Sequence, residues 1–152
     1  MLFRSATFRA TFEESSANSP VADPASGLIT VSKGDRIPGL PRNALKFGAD
    51  LDLGRGVSVG AGFVYNSAQY LRGDESNQVG PIGGFAVVNL RLRYRINEHF
   101  AAFARADNIF DRRYSNFGIL ANANGTYPDV SDPRFVSPGA PRAGWIGFSA
   151  DL

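Results

Sequence analysis

Apolar and polar residues alternate along most of this chain, and the alternation predicts strands. It is clearest in 85–96. There Ala86, Val88, Leu90, Leu92, Tyr94 and Ile96 share one parity, and Phe85, Val87, Asn89, Arg91, Arg93 and Arg95 share the other. Successive strand side chains point to opposite faces, so the segment has one apolar and one cationic face. Wound as a helix, it would scatter three arginines among the apolar positions. The pattern recurs in 44–53, where Leu45, Phe47, Ala49, Leu51 and Leu53 oppose Lys46, Gly48, Asp50 and Asp52. It returns in 57–71, led by Val57, Val59, Ala61, Phe63 and Tyr65. In 100–110, Phe100, Ala102, Ala104, Ala106 and Phe110 oppose Arg105 and Asp107, with Phe103 out of pattern. In 144–152, Gly144, Ile146, Phe148, Ala150 and Leu152 oppose Trp145, Gly147, Ser149 and Asp151. A looser version opens the chain at 2–13, where Leu2, Ala6, Phe8, Ala10 and Phe12 share a parity with Arg4. Six strands of about ten residues are expected, the length that crosses a bilayer when tilted.

The connections alternate in length. Gly54-Arg55-Gly56 and Asn97-Glu98-His99 are tight hairpin turns. Between them lies 72–84, rich in Gly, Asp, Ser and Asn, and on either side two stretches, 14–43 and 111–142, are likewise expected to be long loops. Loops of that length are uncommon in compact domains and are usually functional or disordered. Falling at every other connection, the long ones leave the sheet on one side and the tight turns on the other. That is the arrangement of an outer-membrane barrel. A soluble β-sandwich also alternates, but its strands are usually about five or six residues long. Tyr65, Tyr70, Phe85, Tyr94, Phe100, Phe110 and Tyr114 cluster near strand ends, as an interfacial aromatic girdle requires.

Composition narrows the choice. The 152 residues carry 16 basic and 14 acidic side chains, a net charge of +2, too small to suggest nucleic acid. With no cysteine there is no disulfide framework and no thiolate metal site. No apolar run approaches the roughly 20 residues of a membrane helix. A mean hydropathy of −0.14 fits a soluble protein or a barrel with alternating faces. The start at Met1-Leu2-Phe3-Arg4 lacks a secretory signal, so an exported reading needs an upstream piece.

Four stretches resemble the C-terminal barrel of TonB-dependent outer-membrane receptors, in order and in spacing. They are Gly34-Asp35-Arg36-Ile37-Pro38-Gly39-Leu40-Pro41-Arg42, Gln69-Tyr70-Leu71-Arg72-Gly73-Asp74-Glu75-Ser76-Asn77-Gln78, Gly84-Phe85-Ala86-Val87-Val88-Asn89-Leu90 and Asp107-Asn108-Ile109-Phe110-Asp111-Arg112-Arg113-Tyr114. The last is the most specific, and the resemblance covers essentially the whole chain. It implies an all-β, antiparallel, up-and-down transmembrane barrel of 22 strands, closed by an N-terminal plug. Such receptors import ferric siderophores or similar scarce nutrients across the Gram-negative outer membrane, and the TonB complex energises them through a box ahead of the plug. The expected partners are outer-membrane lipid, the rest of the barrel and the plug, with TonB reached only through parts not in this chain; no nucleic acid and no cofactor are implied. Residues 1–152 would be the last six strands, with no plug, and would end in Leu152 where family members often end in an aromatic residue. Six strands cannot close at ordinary barrel geometry, and an open sheet leaves edges that lipid does not tolerate. The chain therefore reads as a piece of a receptor. A soluble β-sandwich ligand-binding module, or a non-functional gene remnant, remains the alternative.

Candidate chemistry is sparse. Arg91, Arg93, Arg95, Arg105 and Asp107 would face the lumen, either contacting a plug or an anionic substrate or standing as a solvated wall neutralised by Asp50, Asp52 and Asp107. Tyr127, Asp129 and Phe135 are candidates for ligand contact in the last long loop, with Phe117 beside them. Tyr94, Phe110, Tyr114 and Trp145 are expected at the membrane interface. Asp74, Glu75, Asp129 and Asp132 lack the spacing of a calcium loop and read as loop solubility. His99, the single histidine, has no nucleophile motif with it, which leaves a hydrolase as the weakest reading. Asp107-Asn108 with Asp111-Arg112-Arg113 is expected to fix the strand end and loop entry by side chain–backbone bonds.

Overall fold

The alternating segments become strands of one antiparallel sheet. A computed structural model describes residues 2–3, 7–15, 19–122 and 131–151. Among them the strands are β1 (Leu2–Phe3), β2 (Phe12–Ser15), β3 (Leu28–Val31), β4 (Asn43–Gly54), β5 (Val57–Asn66), β6 (Phe85–Arg95), β7 (Phe100–Asp107), β8 (Ser115–Leu120), β9 (Arg134–Pro138) and β10 (Ala143–Ala150). The main sheet has the order β1-β4-β5-β6-β7-β10, with β2-β3 and β8-β9 as separate two-stranded sheets. Every strand of the main sheet thus neighbours the one before it, the up-and-down order expected. The sheet is open, with β1 and β10 at its two edges.

Register settles the two faces. Leu45 lies opposite Tyr65, Phe47 opposite Phe63 and Leu51 opposite Val59. Val59 continues to Leu92, Leu92 to Ala104, and Ala104 to Ile146. One apolar face therefore runs unbroken across five strands, and nothing among the described residues covers it. Ile146 is 86% exposed and Phe148 80%. Buried apolar side chains lie elsewhere: Val87 and Ala101 on the polar parity, and Ile29, Val31, Leu71 and Leu120 among the long connections. This inverts the soluble pattern, in which the apolar face of a sheet turns to a core.

Four expectations change. The segment 2–13 is not one strand. The rings of Phe8 and Phe12 meet edge-on at 5.1 Å, whereas an extended strand would hold side chains four apart at roughly 13 Å. Thr7 instead bridges Arg36, and Phe12–Ser15 pairs with β3. The strand begun at Val57 stops at Asn66 rather than continuing to 71, because the Ser67 hydroxyl accepts the Asn43 N–H at 2.9 Å and turns the chain. The strand begun at Phe100 stops at Asp107, since Asn108 adopts a left-handed φ of +49°. The two longest connections are not structureless, for each carries a hairpin, β2-β3 and β8-β9.

The tight turn between β4 and β5 follows from its residues. Gly54, Arg55 and Gly56 all have φ between +54° and +79°, a conformation that two glycines make inexpensive. Asp52 fastens it by accepting the Gly54 N–H at 2.8 Å.

Candidate functional site

The polar face of the sheet is a charged wall organised in cross-strand rows. One row runs Asp50, Gly60, Arg91, Arg105, Trp145. Arg91 and Arg105 face each other directly, a pairing of like charges that destabilises a sheet unless it is relieved. Each arginine turns to a different carboxylate. Arg91 reaches past β5 to Asp50, its Nε donating to Oδ1 at 2.7 Å and its Nη2 forming an ion pair with Oδ2. This route exists because Gly60 lies between them; a Cβ there would overlap both side chains. Arg105 binds Asp107 on its own strand at 2.9 Å and lies over the Trp145 ring, 5.7 Å from its centroid. The expectation of a wall neutralised by its own acids thus holds at mid-sheet.

It fails towards the tight turns. Arg93 has Ser58 and Phe103 as register neighbours, and Arg95 has Ala101. Neither has a carboxylate partner among the described residues. Asp52, expected to help neutralise them, stands across Ser58 from Arg93 in the same row and accepts the Gly54 N–H through Oδ1, without an ion pair to either arginine.

At the other end the three long connections are stitched into one cap. The second connection, 67–84, lies in the middle. On one side Asn77 Oδ1 accepts the Arg36 N–H at 2.7 Å and Asn77 Nδ2 donates to the Arg36 carbonyl at 3.0 Å. The Arg36 guanidinium lies over the Tyr70 ring, and the Ser19 hydroxyl donates to the Gly73 carbonyl at 2.6 Å. On the other side Gln69 Nε2 donates to the Asn116 carbonyl at 2.9 Å, and Arg72 bonds to β8 through its backbone, donating to the Gly118 carbonyl at 3.0 Å and accepting the Leu120 N–H at 2.7 Å. Leu71, fully buried, fills the space between.

Asp74 corrects the loop-solubility reading. It is fully buried, and its carboxylate accepts the Gln78 and Val79 N–H groups at 2.7 and 3.1 Å, so it shapes a tight loop. Burial holds its pKa above the ordinary value, with the neighbouring Glu75 adding to the shift, while those N–H bonds pull the other way. Asp132, by contrast, pairs with Arg134 at 2.8 Å, and those hydrogen bonds lower its pKa to about 2.

Asn108 and Asp111 make the expected side chain–backbone bonds, while Asp107 pairs with the Arg105 side chain instead. Asn108 is buried, its Nδ2 donates to the Arg112 and Ala140 carbonyls, and its Oδ1 accepts the Arg112 N–H. Asn89 on β6 accepts the Asn108 N–H at 2.9 Å, and Asp111 accepts the Arg142 N–H.

The expected interface aromatics separate. Tyr94 is on the apolar face near the tight turns, and Phe110, 75% exposed, stands at the opposite end. Tyr114 stacks on Phe85, a polar-parity residue, at 4.2 Å, and Trp145 belongs to the polar row with Arg105. In the β8-β9 hairpin, Phe135 lies opposite Ile119, with Phe117 on the same face; all three are exposed, while Gly118 and Leu120 turn inward to the cap. Tyr127 and Asp129 lie outside the described residues. His99 accompanies the end of β10, its Nδ1 3.2 Å from the Asp151 carbonyl oxygen.

An open, up-and-down sheet with a bare apolar face, a charged opposite face and a stitched cap at one end is a section of a membrane β-barrel. Residues 5–109 match the family described as TonB dependent receptor-like, beta-barrel, and the chain belongs to that family, one of transport receptors. Over 48 residues the chain is 42% identical to the ferric-pyoverdine BN7/BN8 receptor of Pseudomonas putida, covering 32% of this chain and 6% of that receptor. The fold is that of the siderophore receptor PiuA from Acinetobacter baumannii (TM-score 0.64, 19% identity), over 82% of this chain and 16% of that one. It also matches the ferric yersiniabactin uptake receptor FyuA from Yersinia pestis (TM-score 0.60, 21% identity), over 79% of this chain and 18% of that one. The chain thus spans less than a fifth of the length of each of these relatives.

Proposed function

We propose that residues 1–152 form the C-terminal strands of a TonB-dependent receptor in the Gram-negative outer membrane, contributing to uptake of a ferric siderophore or similar scarce nutrient. The carrying observation is the apolar face continuous in register over five strands and left uncovered, in a chain of this family. In this reading that face meets lipid, with Tyr94 and Phe110 near its two boundaries. Arg91, Arg93, Arg95, Arg105 and Asp107 line the lumen, and the stitched cap stands at the outer surface. Phe117, Ile119 and Phe135 offer an apolar contact to an incoming ligand. The plug and the contact with TonB belong to other parts of the receptor. The receptor is a transporter and not an enzyme. A soluble β-sandwich would need a second layer over the apolar face, and none packs there among the described residues. Fractionation of native cells tests the proposal. Recovery in the detergent-extracted outer membrane is expected; a folded monomer in the cytosol would overturn it.

A further inference from the structure

A groove of about 500 Å³ is cut into the apolar face along β7. Its floor is Ala104 and Ala106, and its walls are Leu90 and Leu92 of β6 and Ile146 of β10, with Gly144 leaving the second wall low at the cap end. Ala102 continues the floor towards the tight turns, between Tyr94 and Phe148. From Ala102 to Ala106 the floor is roughly 14 Å long, about half the roughly 30 Å of a bilayer's hydrocarbon. The two wall strands are two spacings apart, roughly 10 Å between backbones, and their side chains narrow that gap. An α-helix, about 10–12 Å across, is too wide to enter, whereas a single acyl chain fits.

Charge marks the cap end of this groove. Arg142, one residue before β10, continues the parity of Gly144 and Ile146 and is exposed. Asp111 accepts its N–H at 3.3 Å, but its guanidinium makes no ion pair among the described residues. A cation at the mouth of an apolar groove one leaflet long complements an amphiphile with an anionic head.

We propose that this groove holds one acyl chain of a phosphate-bearing membrane lipid, with the phosphate at Arg142. The inference rests on the lipid-facing reading of the apolar face and adds to it one lipid held at a fixed place. Over β4 and β5 a lipid tail meets Phe47, Leu51 and Phe63, which stand out from the sheet. Along β7 it lies between two walls and gains contacts on three sides, and within a membrane such packing is what separates one apolar site from another.

Native mass spectrometry of the whole chain, released from dodecyl maltoside micelles containing dioleoylphosphatidic acid, reads how much lipid stays bound. One lipid retained per chain is expected. Ala104→Leu/Ala106→Leu fills the floor with side chains suited to a lipid-facing surface and should lower retention about fivefold. Ala49→Leu, on the same face but away from the groove, should retain lipid as the parent does. Arg142→Gln should also lower retention about fivefold, the loss of one charge at the membrane surface, and Arg142→Lys should restore it. Diolein, with the same tails and no phosphate, should bind the parent as weakly as phosphatidic acid binds Arg142→Gln. Equal retention by the parent and the filled variant would overturn the inference, as would equal retention of diolein and phosphatidic acid by the parent. So would full displacement of the lipid by inorganic phosphate, which would give Arg142 to a free anion. The membrane reading is tested separately, by where native cells keep the chain.

Discussion

Replacing Asn108 tests whether the strand-end motif acts through its side-chain bonds. Asn108 is 3% exposed with φ +49°, and it donates to the Arg112 and Ala140 carbonyls at 2.9 and 3.1 Å and accepts the Arg112 N–H at 2.9 Å. Glycine takes the left-handed conformation freely, so Asn108→Gly removes only the bonds. At about 1 kcal/mol net each, three bonds give about 3 kcal/mol. Asn108→Ala adds about 1 kcal/mol for a Cβ in the left-handed region, about 4 kcal/mol in all. Hydrogen exchange of the Arg112 amide, measured by NMR in micelles, reads the local opening. A loss of about 3 kcal/mol accelerates that exchange on the order of a hundredfold in the glycine variant, and the alanine variant exchanges faster still. Exchange within about threefold of the parent in both variants would refute the reasoning, because the turn would then be held by its backbone alone.

Leu71→Ala empties the centre of the cap and should destabilise it by about 2–5 kcal/mol, seen as faster protease nicking of the long connections while the sheet stays intact. Gly118→Val overpacks the same place, since a Cβ there would sit 3.0 Å from Leu71 Cδ2, and should destabilise by about 1–3 kcal/mol. Combined, the two changes should lose less than their sum, and strict additivity would show that they do not share this space. Asp74 has a raised carboxyl pKa, so its contribution to stability is complete below the ordinary value of 3.8 and is lost as pH rises through the folded one. Nicking of 67–84 should therefore slow on acidification from neutral pH, and Asp74→Asn should flatten that dependence; an unchanged profile in the variant would assign it elsewhere. Gly60→Val should drive Arg91 off Asp50, and a crystal structure of the variant with that ion pair intact would contradict the row geometry.

The motifs that carry the family resemblance acquire a physical meaning in the cap. Arg36, Gln69, Tyr70, Asn77 and Asn108 are all engaged within the cap. Gln69 and Asn77 hold one connection to the next through backbone carbonyls and N–H groups, Arg36 lies over the Tyr70 ring, and Asn108 ties the two ends of the last connection through the Arg112 and Ala140 carbonyls. Such bonds need a particular side chain at a particular place, whereas the strands need only alternation. That is why the loops of this chain carry distinctive words and its strands carry a generic rhythm.

Alternation by itself determined that this is an all-β chain with one apolar face, because the two-residue period of a strand writes each side chain's face directly into the sequence. Residues 85–95 and 143–150 could be read almost to their ends, and the alternation of tight and long connections was enough to give the up-and-down order. Where polar atoms rather than periodicity end a strand, as at Ser67 and Asn108, the boundary was not legible, and the apolar parity of 2–13 hid a bend. Only the tertiary structure decided which charges neutralise each other. Asp50 and Arg91 are 41 residues apart and meet because register sets Gly60 between them. Asp74 looked like a solvated loop acid until three connections closed over its neighbours. Pairing and burial of polar groups depend on distances between strands and loops remote in sequence, and no local pattern records those distances.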